Sequence, residues 1–208
     1  MTDKLKIAVL ASGRGSNFKA LAEACAGEGY PAEIAVLIAD NPDAGALRIA
    51  SEMGIDSIVI DCGPKKGSMT HESSELMAEK CGEAGVGLVC LAGFMRIVKG
   101  RLLEDYAGRM INIHPALLPS FKGLHGQRQA LEYGVKYSGC TVHFVDKGID
   151  TGPIILQKVV PVEQDDTEDT LSARILREEH KAYPEAVRLL AEGRVRAEGR
   201  RVFIESDE

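Results

Sequence analysis

The sequence predicts an α/β fold built on a mostly parallel, Rossmann-like sheet with helices on both faces, becoming mixed toward its C-terminal half. Three observations predict it. Leu5 to Ala11 is an apolar run broken only by Lys6, and it is followed at once by the turn Ser12-Gly13-Arg14-Gly15-Ser16-Asn17 and the helical spacing Phe18, Leu21, Ala22, Cys25; strand, glycine turn and helix in that order open a parallel βα sheet. Val86 to Ala92 (VGLVCLA) is apolar throughout, as a strand covered by helices on both faces must be. Cys140 to Val145 and Ile154 to Val160 are two strong strands joined only by Asp146 to Pro153; a link that short favours an antiparallel pair and makes the sheet mixed.

The remaining elements follow in order. Glu33 to Ala39 (EIAVLIA) reads as a second strand, and Pro42 to Met53 as a helix closed by Gly54. Ser57 to Ile60 and a helix from about Met69 to Cys81 form a third unit, and Gly100 to Tyr106 is a short helix leading to the strand Met110 to Ile113. A long connection rich in Pro and Gly comes next, a functional candidate by its length, and then a helix from about Gln127 to Tyr133. Asp165-Asp166-Thr167-Glu168 opens a long helix, with Asp165 and Glu168 at capping-box spacing. Its buried stripe is Leu171, Ile175, Ala182, Ala186 and Leu190, and Pro184 is expected to kink it or end its first part. Val195 and Val202 to Ile204 suggest a terminal hairpin. No repeat or low-complexity linker interrupts the 208 residues, so residues 1–208 are read as a single domain.

Composition narrows the function. A formal charge of -6 argues against nonspecific binding to nucleic acid, leaving small molecules or proteins as partners. The five cysteines are odd in number and none forms C-x-x-C, which argues against a disulfide framework and a thiolate zinc site; buried thiols in a reducing cytoplasm are expected. The N-terminus lacks a signal-peptide pattern and no stretch approaches a membrane span, which places the chain in the cytosol.

The stretch from Met110 to Pro153 concentrates the chemistry. Asn112 and His114 are two apart on a strand and therefore share a side, where carboxamide and imidazole N–H groups can both donate to an oxygen that becomes negative, as acyl transfer requires. Asp150 is expected to orient the imidazole and raise its pKa. Pro115 keeps His114 extended. A buried histidine is more often a satisfied core residue than a functional one, but His114 lies between Asn112 and Pro115 at a strand end. Metal pairings such as His114 with His125, or His143 with Asp146, lack ligand spacing, so no metal is expected. Ser120 lacks the G-x-S-x-G elbow of a serine hydrolase.

Elsewhere, Gly13, Gly15, Ser16 and Asn17 open a helix after a strand, where backbone N–H groups and the helix dipole can receive a phosphate. Phe18 stands where G-x-G-x-x-G needs its third glycine and no G-K-S/T follows, so a monophosphate fits better than a dinucleotide or a nucleoside triphosphate. A turn using glycine only for its dihedral freedom is the plainer alternative. Glu179 falls on or beside the apolar stripe of the last helix, either reaching into the site or lying at its flank.

Together the segments VLASGRGSN, VCLAGFMRIV, INIHPALLPSFKGLHG, TVHFVD, GIDTGPIILQ and EEHKAYPEAV resemble the phosphoribosylglycinamide formyltransferase family, in its single-domain bacterial form, from Lys6 to about Val195. The resemblance implies the formyltransferase fold, with residues 1–100 as a phosphate-binding half and 101–208 as a catalytic and folate-binding half. It implies formyl transfer from 10-formyltetrahydrofolate, as co-substrate, to glycinamide ribonucleotide in purine biosynthesis, by a monomer or homodimer. Asn112, His114 and Asp150 match the family's catalytic residues. Gly15, Ser16 and Asn17 match its phosphate loop, Glu179 a carboxylate on the ribonucleotide, and Pro115 and His125 the substrate side. Met95, Arg96, Ile97 and Val98 match the wall of the folate pocket, with Val145, Asp146, Lys147, Gly148, Ile149, Thr151 and Gly152 in the loop that closes on the pteridine. Rival readings are another formyltetrahydrofolate-using transferase or deformylase, and a non-catalytic binding module that keeps the glycine turn without needing Asn112, His114 and Asp150.

Overall fold

The structure, a computed structural model, describes residues 4–65 and 67–206. Two compact units are present, Met1–Ile111 and Asn112–Glu208. In chain order the elements are β1 (Leu5–Ala11), α1 (Ser16–Ala26), β2 (Ala32–Ala39), α2 (Gly45–Met53), β3 (Ser57–Val59), β4 (Gly67–Ser68), α3 (His71–Glu83), β5 (Leu88–Leu91), β6 (Arg96–Ile97), α4 (Arg101–Asp105), β7 (Met110–His114), α5 (Gly126–Tyr133), β8 (Tyr137–Phe144), β9 (Ile154–Pro161), α6 (Glu168–Ala191), β10 (Val195–Glu198) and β11 (Arg201–Ile204). Seven strands form one sheet in the order β3-β2-β1-β5-β7-β8-β9. Its β1–β2, β1–β5 and β2–β3 pairs are parallel and its β8–β9 pair antiparallel, so the expected mixed sheet is present.

In the first unit, Ile7, Val9 and Leu10 of β1 and Leu37 and Ile38 of β2 are fully buried. Each such side chain contributes about 1.5–3 kcal/mol of transfer free energy. Phe18 and Leu21 of α1 and Ala46 and Ala50 of α2 supply the covering apolar faces. The helix expected from Pro42 begins only at Gly45 and ends, as its sequence indicates, at Gly54 in a left-handed conformation. Thr70 caps α3, its Oγ1 accepting from the Ser73 N–H at 3.1 Å; a hydroxyl at that position satisfies one of the orphan amides of the first turn, worth about 1 kcal/mol.

In the second unit the long helix departs from expectation twice. Its N-cap is Thr167, whose side chain exchanges hydrogen bonds with Thr170, rather than Asp165. Asp166 is instead committed to Arg174, which donates to it at 2.6 and 2.9 Å. The helix also runs through Pro184 to Ala191, because Ala182, Tyr183, Ala186 and Val187 on either side are fully buried and hold the turn in place. Leu189 is buried where Leu190 was expected. The terminal hairpin forms as β10–β11.

Candidate active site

Alternation along β7 sets Asn112 and His114 on one side of the strand. Asp150 reaches both: its Oδ2 lies 3.3 Å from Nδ1 of His114 and its Oδ1 lies 3.5 Å from Nδ2 of Asn112. A fourth member, His143 of β8, was not among the expected site residues. Its Nε2 stands 3.3 Å from Asn112 Nδ2 and 3.6 Å from Asp150 Oδ1. The register of β8 on β9 slips between Val142 and His143, the kind of irregularity that re-aims a side chain.

Two loops complete the arrangement. Asp150 has φ +50, a left-handed conformation an Asp tolerates better than most residues. The turn before it is closed by Asp146, whose Oδ1 accepts from the Gly148 N–H at 3.0 Å and the Thr151 hydroxyl at 2.5 Å. At the neck, Phe144 N–H donates to the Pro153 carbonyl, and a β-carbon on Gly152 would overlap the Phe144 carbonyl, so only glycine fits there. The second loop returns backbone groups to the site: the Gly123 N–H donates to Asp150 Oδ2 at 2.8 Å, and the Phe121 carbonyl lies 2.8 Å from His114 Nε2. Its base is fastened by the buried Thr141 hydroxyl, which donates to Ala116 and accepts from Leu118 N–H and from Gln157.

This places His114 between two acceptors. A neutral imidazole carries one N–H, so either tautomer leaves the Phe121 carbonyl or the Asp150 carboxylate facing a lone pair; only the imidazolium satisfies both. Burial opposes that charge and prevails, and the His114 pKa lies below its usual 6.5 despite the pull of Asp150 and the Phe121 carbonyl. The expected rise is therefore corrected: Asp150 does push the pKa up, but desolvation outweighs it. For Asp150 the balance is reversed. Burial pushes its carboxyl up, and its contacts with His143, the Gly123 N–H and His114 bring it below the ordinary carboxylate value. An ionised carboxylate beside a neutral imidazole, which keeps one ring nitrogen free to take a proton, can act as a proton-transfer pair. The adjoining carboxamide has N–H groups of the kind that can stabilise a developing oxyanion.

The other expected residues divide between the units. In the first, Gly15 has φ +80 immediately before α1, and a β-carbon there would come within 2.7 Å of the Ala46 Cα. No acidic residue occupies the first turn of α1, so its amide end carries no competing negative charge. Met95 and Ile97 expose their side chains while Val98 is buried. Arg96, between them, turns inward: its Nε lies 2.5 Å from Asp40 Oδ2, and Nη1 donates to the carbonyls of Gly63, Lys65 and Ser68. In the second unit, Ile149 is exposed at the tip of its loop. Pro115 is half-buried, and the exposed His125 lies 4.0 Å from Glu168. Glu179 is buried on the Ile175 and Ala182 face of α6, not at its solvent flank. Among the described residues no group of three or more His, Cys, Asp or Glu side chains converges as a metal site.

The formyl transferase family model matches residues 5–187. A phosphoribosylglycinamide formyltransferase of Bacillus subtilis (strain 168) is 41% identical over 185 residues, covering 89% of this chain and 94% of that protein. The trifunctional purine biosynthetic protein adenosine-3 of Drosophila melanogaster is 44% identical over 190 residues; 90% of this chain is matched, and it spans 14% of that much longer protein. Among solved structures, glycinamide ribonucleotide transformylase 1 from Symbiobacterium toebii superposes with a TM-score of 0.94 at 48% identity, over 99% of this chain and 96% of the other. By its matched segment and by relatives that align along nearly their whole length, the chain belongs to the formyl transferase family.

Proposed function

We propose that the protein transfers the formyl group of 10-formyltetrahydrofolate to the amine of glycinamide ribonucleotide, giving N-formylglycinamide ribonucleotide and tetrahydrofolate in de novo purine biosynthesis. The observation that carries this reading is the convergence of Asn112, His114 and His143 on Asp150 within 3.3–3.6 Å, supported by the names of the near full-length relatives. As the amine attacks the formyl carbon, the Asn112 carboxamide and the His114 imidazole donate to the oxygen that becomes negative. Asp150 orients His114 and assists the transfer of the proton that the attacking amine releases, which is delivered to the departing folate nitrogen as its bond to the formyl carbon breaks.

In this reading residues 1–100 act as the phosphate-binding half, with Gly15, Ser16 and Asn17 on the ribonucleotide phosphate, and 101–208 as the catalytic half. Pro115, His125 and Glu179 serve the acceptor. Met95, Ile97 and Val98 offer the donor an apolar wall, and Val145 to Gly152 close on its pteridine. The protein acts in the cytoplasm as a monomer or homodimer on small molecules, without metal, nucleic acid or membrane partners; no helix among the described residues is long and apolar enough to cross a membrane. The test mixes purified protein with both substrates and follows tetrahydrofolate release. Release that requires the ribonucleotide is expected; release without it would make the protein a deformylase, and binding of either substrate without release a non-catalytic module.

A further inference from the structure

Arg96 interrupts an exposed apolar ledge. Met95 is 56% exposed and Ile97 49%, yet the arginine between them has its guanidinium inside the first unit, its side chain only 16% exposed. There it meets Asp40, at the end of β2, whose side chain is 4% exposed. The second Asp40 oxygen, Oδ1, is buried with no hydrogen-bond partner among the described residues, and among these the carboxylate is paired with Arg96. The same guanidinium gathers the carbonyls of Gly63, Lys65 and Ser68, and Gly67–Ser68 pairs in parallel with Arg96–Ile97. A second tie fixes the ledge at its start, where the Met95 N–H donates to Ser12 Oγ at 2.8 Å and the Ser12 N–H to the Gly93 carbonyl at 3.2 Å.

Nε and Nη1 of Arg96 are thus committed to four partners within its own unit. Its planar fork is suited to joining several backbone segments at once, which a lysine cannot do. We infer that the Asp40–Arg96 pair is a positioning element for the formyl donor: it fixes the backbone on which Met95 and Ile97 stand, and so sets donor affinity. This rests on the proposed reading of Met95 to Val98 as the donor wall.

The experiment compares Asp40→Ala, Asp40→Asn and Arg96→Lys with wild type by steady-state kinetics on both substrates, with melting temperatures in parallel. Asp40→Ala and Arg96→Lys are each expected to raise KM for the formyl donor on the order of tenfold. Asp40→Asn, which keeps an acceptor but not the charge, should raise it less. For the Asp40 variants kcat and KM for the ribonucleotide should stay within about twofold of wild type, and the double variant Asp40→Ala/Arg96→Lys should cost no more than the worse single one. A donor KM that rises in Arg96→Lys but not in Asp40→Ala would mean that Arg96 touches the donor, and would overturn the inference. A parallel fall in kcat, both affinities and melting temperature would reduce the pair to general scaffolding and overturn it too. A wild-type protein without ribonucleotide-dependent release would instead defeat the proposed function.

Discussion

Nδ2 of Asn112 and Nε2 of His143 stand 3.3 Å apart, and the direction of that contact is set from behind: His143 Nδ1 lies 2.8 Å from the Phe144 carbonyl, which can only accept. The proton therefore sits on Nδ1, Nε2 presents its lone pair, and the Asn112 amide nitrogen turns toward it. His143 in this way decides which end of the carboxamide faces Asp150. The consequence is a graded series. His143→Phe, which fills the space without a lone pair, should lower kcat by about tenfold or more with the fold retained, whereas His143→Gln, whose Oε1 can accept from Asn112, should recover part of the loss. Equal kcat in the two variants, from steady-state assays beside matched circular dichroism spectra, would refute the orienting role.

Asn112 itself is expected to act in the transition state. Asn112→Ala should cost about 3 kcal/mol of transition-state stabilisation, seen as a fall in kcat of roughly 10²–10³-fold with both KM values little changed. Turnover within a few-fold of wild type at saturation would remove Asn112 from the oxyanion site.

These two residues also mark how far the sequence could be read. Asn112, His114 and Asp150 were legible because they are polar groups at the edges of apolar runs, where a core has no use for them. His143 lies inside the buried run Cys140 to Phe144 and reads as a core histidine; the available signal was its position three residues before the loop that carries Asp150. The Phe121 carbonyl and the Gly123 N–H contribute backbone atoms, which leave no mark in side-chain identity. Nor does the Asp40–Arg96 pair, whose partners are 56 residues apart and meet only when the sheet forms. The β1 and β5 strands and the β8–β9 pair followed from periodicity and link length. The cap of α6 was misplaced because Asp165, Asp166 and Thr167 are all residues that can cap a helix, and Arg174, eight residues beyond Asp166, selects among them.

Gly15 joins backbone geometry to the proposed phosphate turn. An alanine there must hold φ near +80 and bring its β-carbon to 2.7 Å from the Ala46 Cα, a backbone atom that cannot swing aside. Left-handed strain and overpacking act together, so Gly15→Ala should destabilise the protein by about 2–4 kcal/mol in urea unfolding and raise KM for the ribonucleotide more than for the formyl donor. A neutral effect on both would show that the turn adapts.

His114 and Asp150 give the pH dependence. Burial holds the His114 pKa below 6.5, so the folded protein binds this proton less readily than the unfolded chain. The associated stability is complete above about pH 6.5 and is lost as pH falls through the lower folded value. Asp150, also depressed, contributes above the ordinary carboxylate range near 3.8 and loses its share only in stronger acid, so the two windows separate. Unfolding free energy measured from pH 7.5 to 5 should therefore decline in wild type and decline less in His114→Gln. Catalysis supplies the second half of the test. The Asp150 charge raises the His114 pKa against the effect of burial, so Asp150→Asn, which keeps an Asn-compatible φ of +50, should move the acid limb of kcat/KM to lower pH while lowering its plateau by at least about tenfold. An acid limb that moves to higher pH, or stays fixed while the plateau falls, would show that Asp150 does not govern the proton on His114.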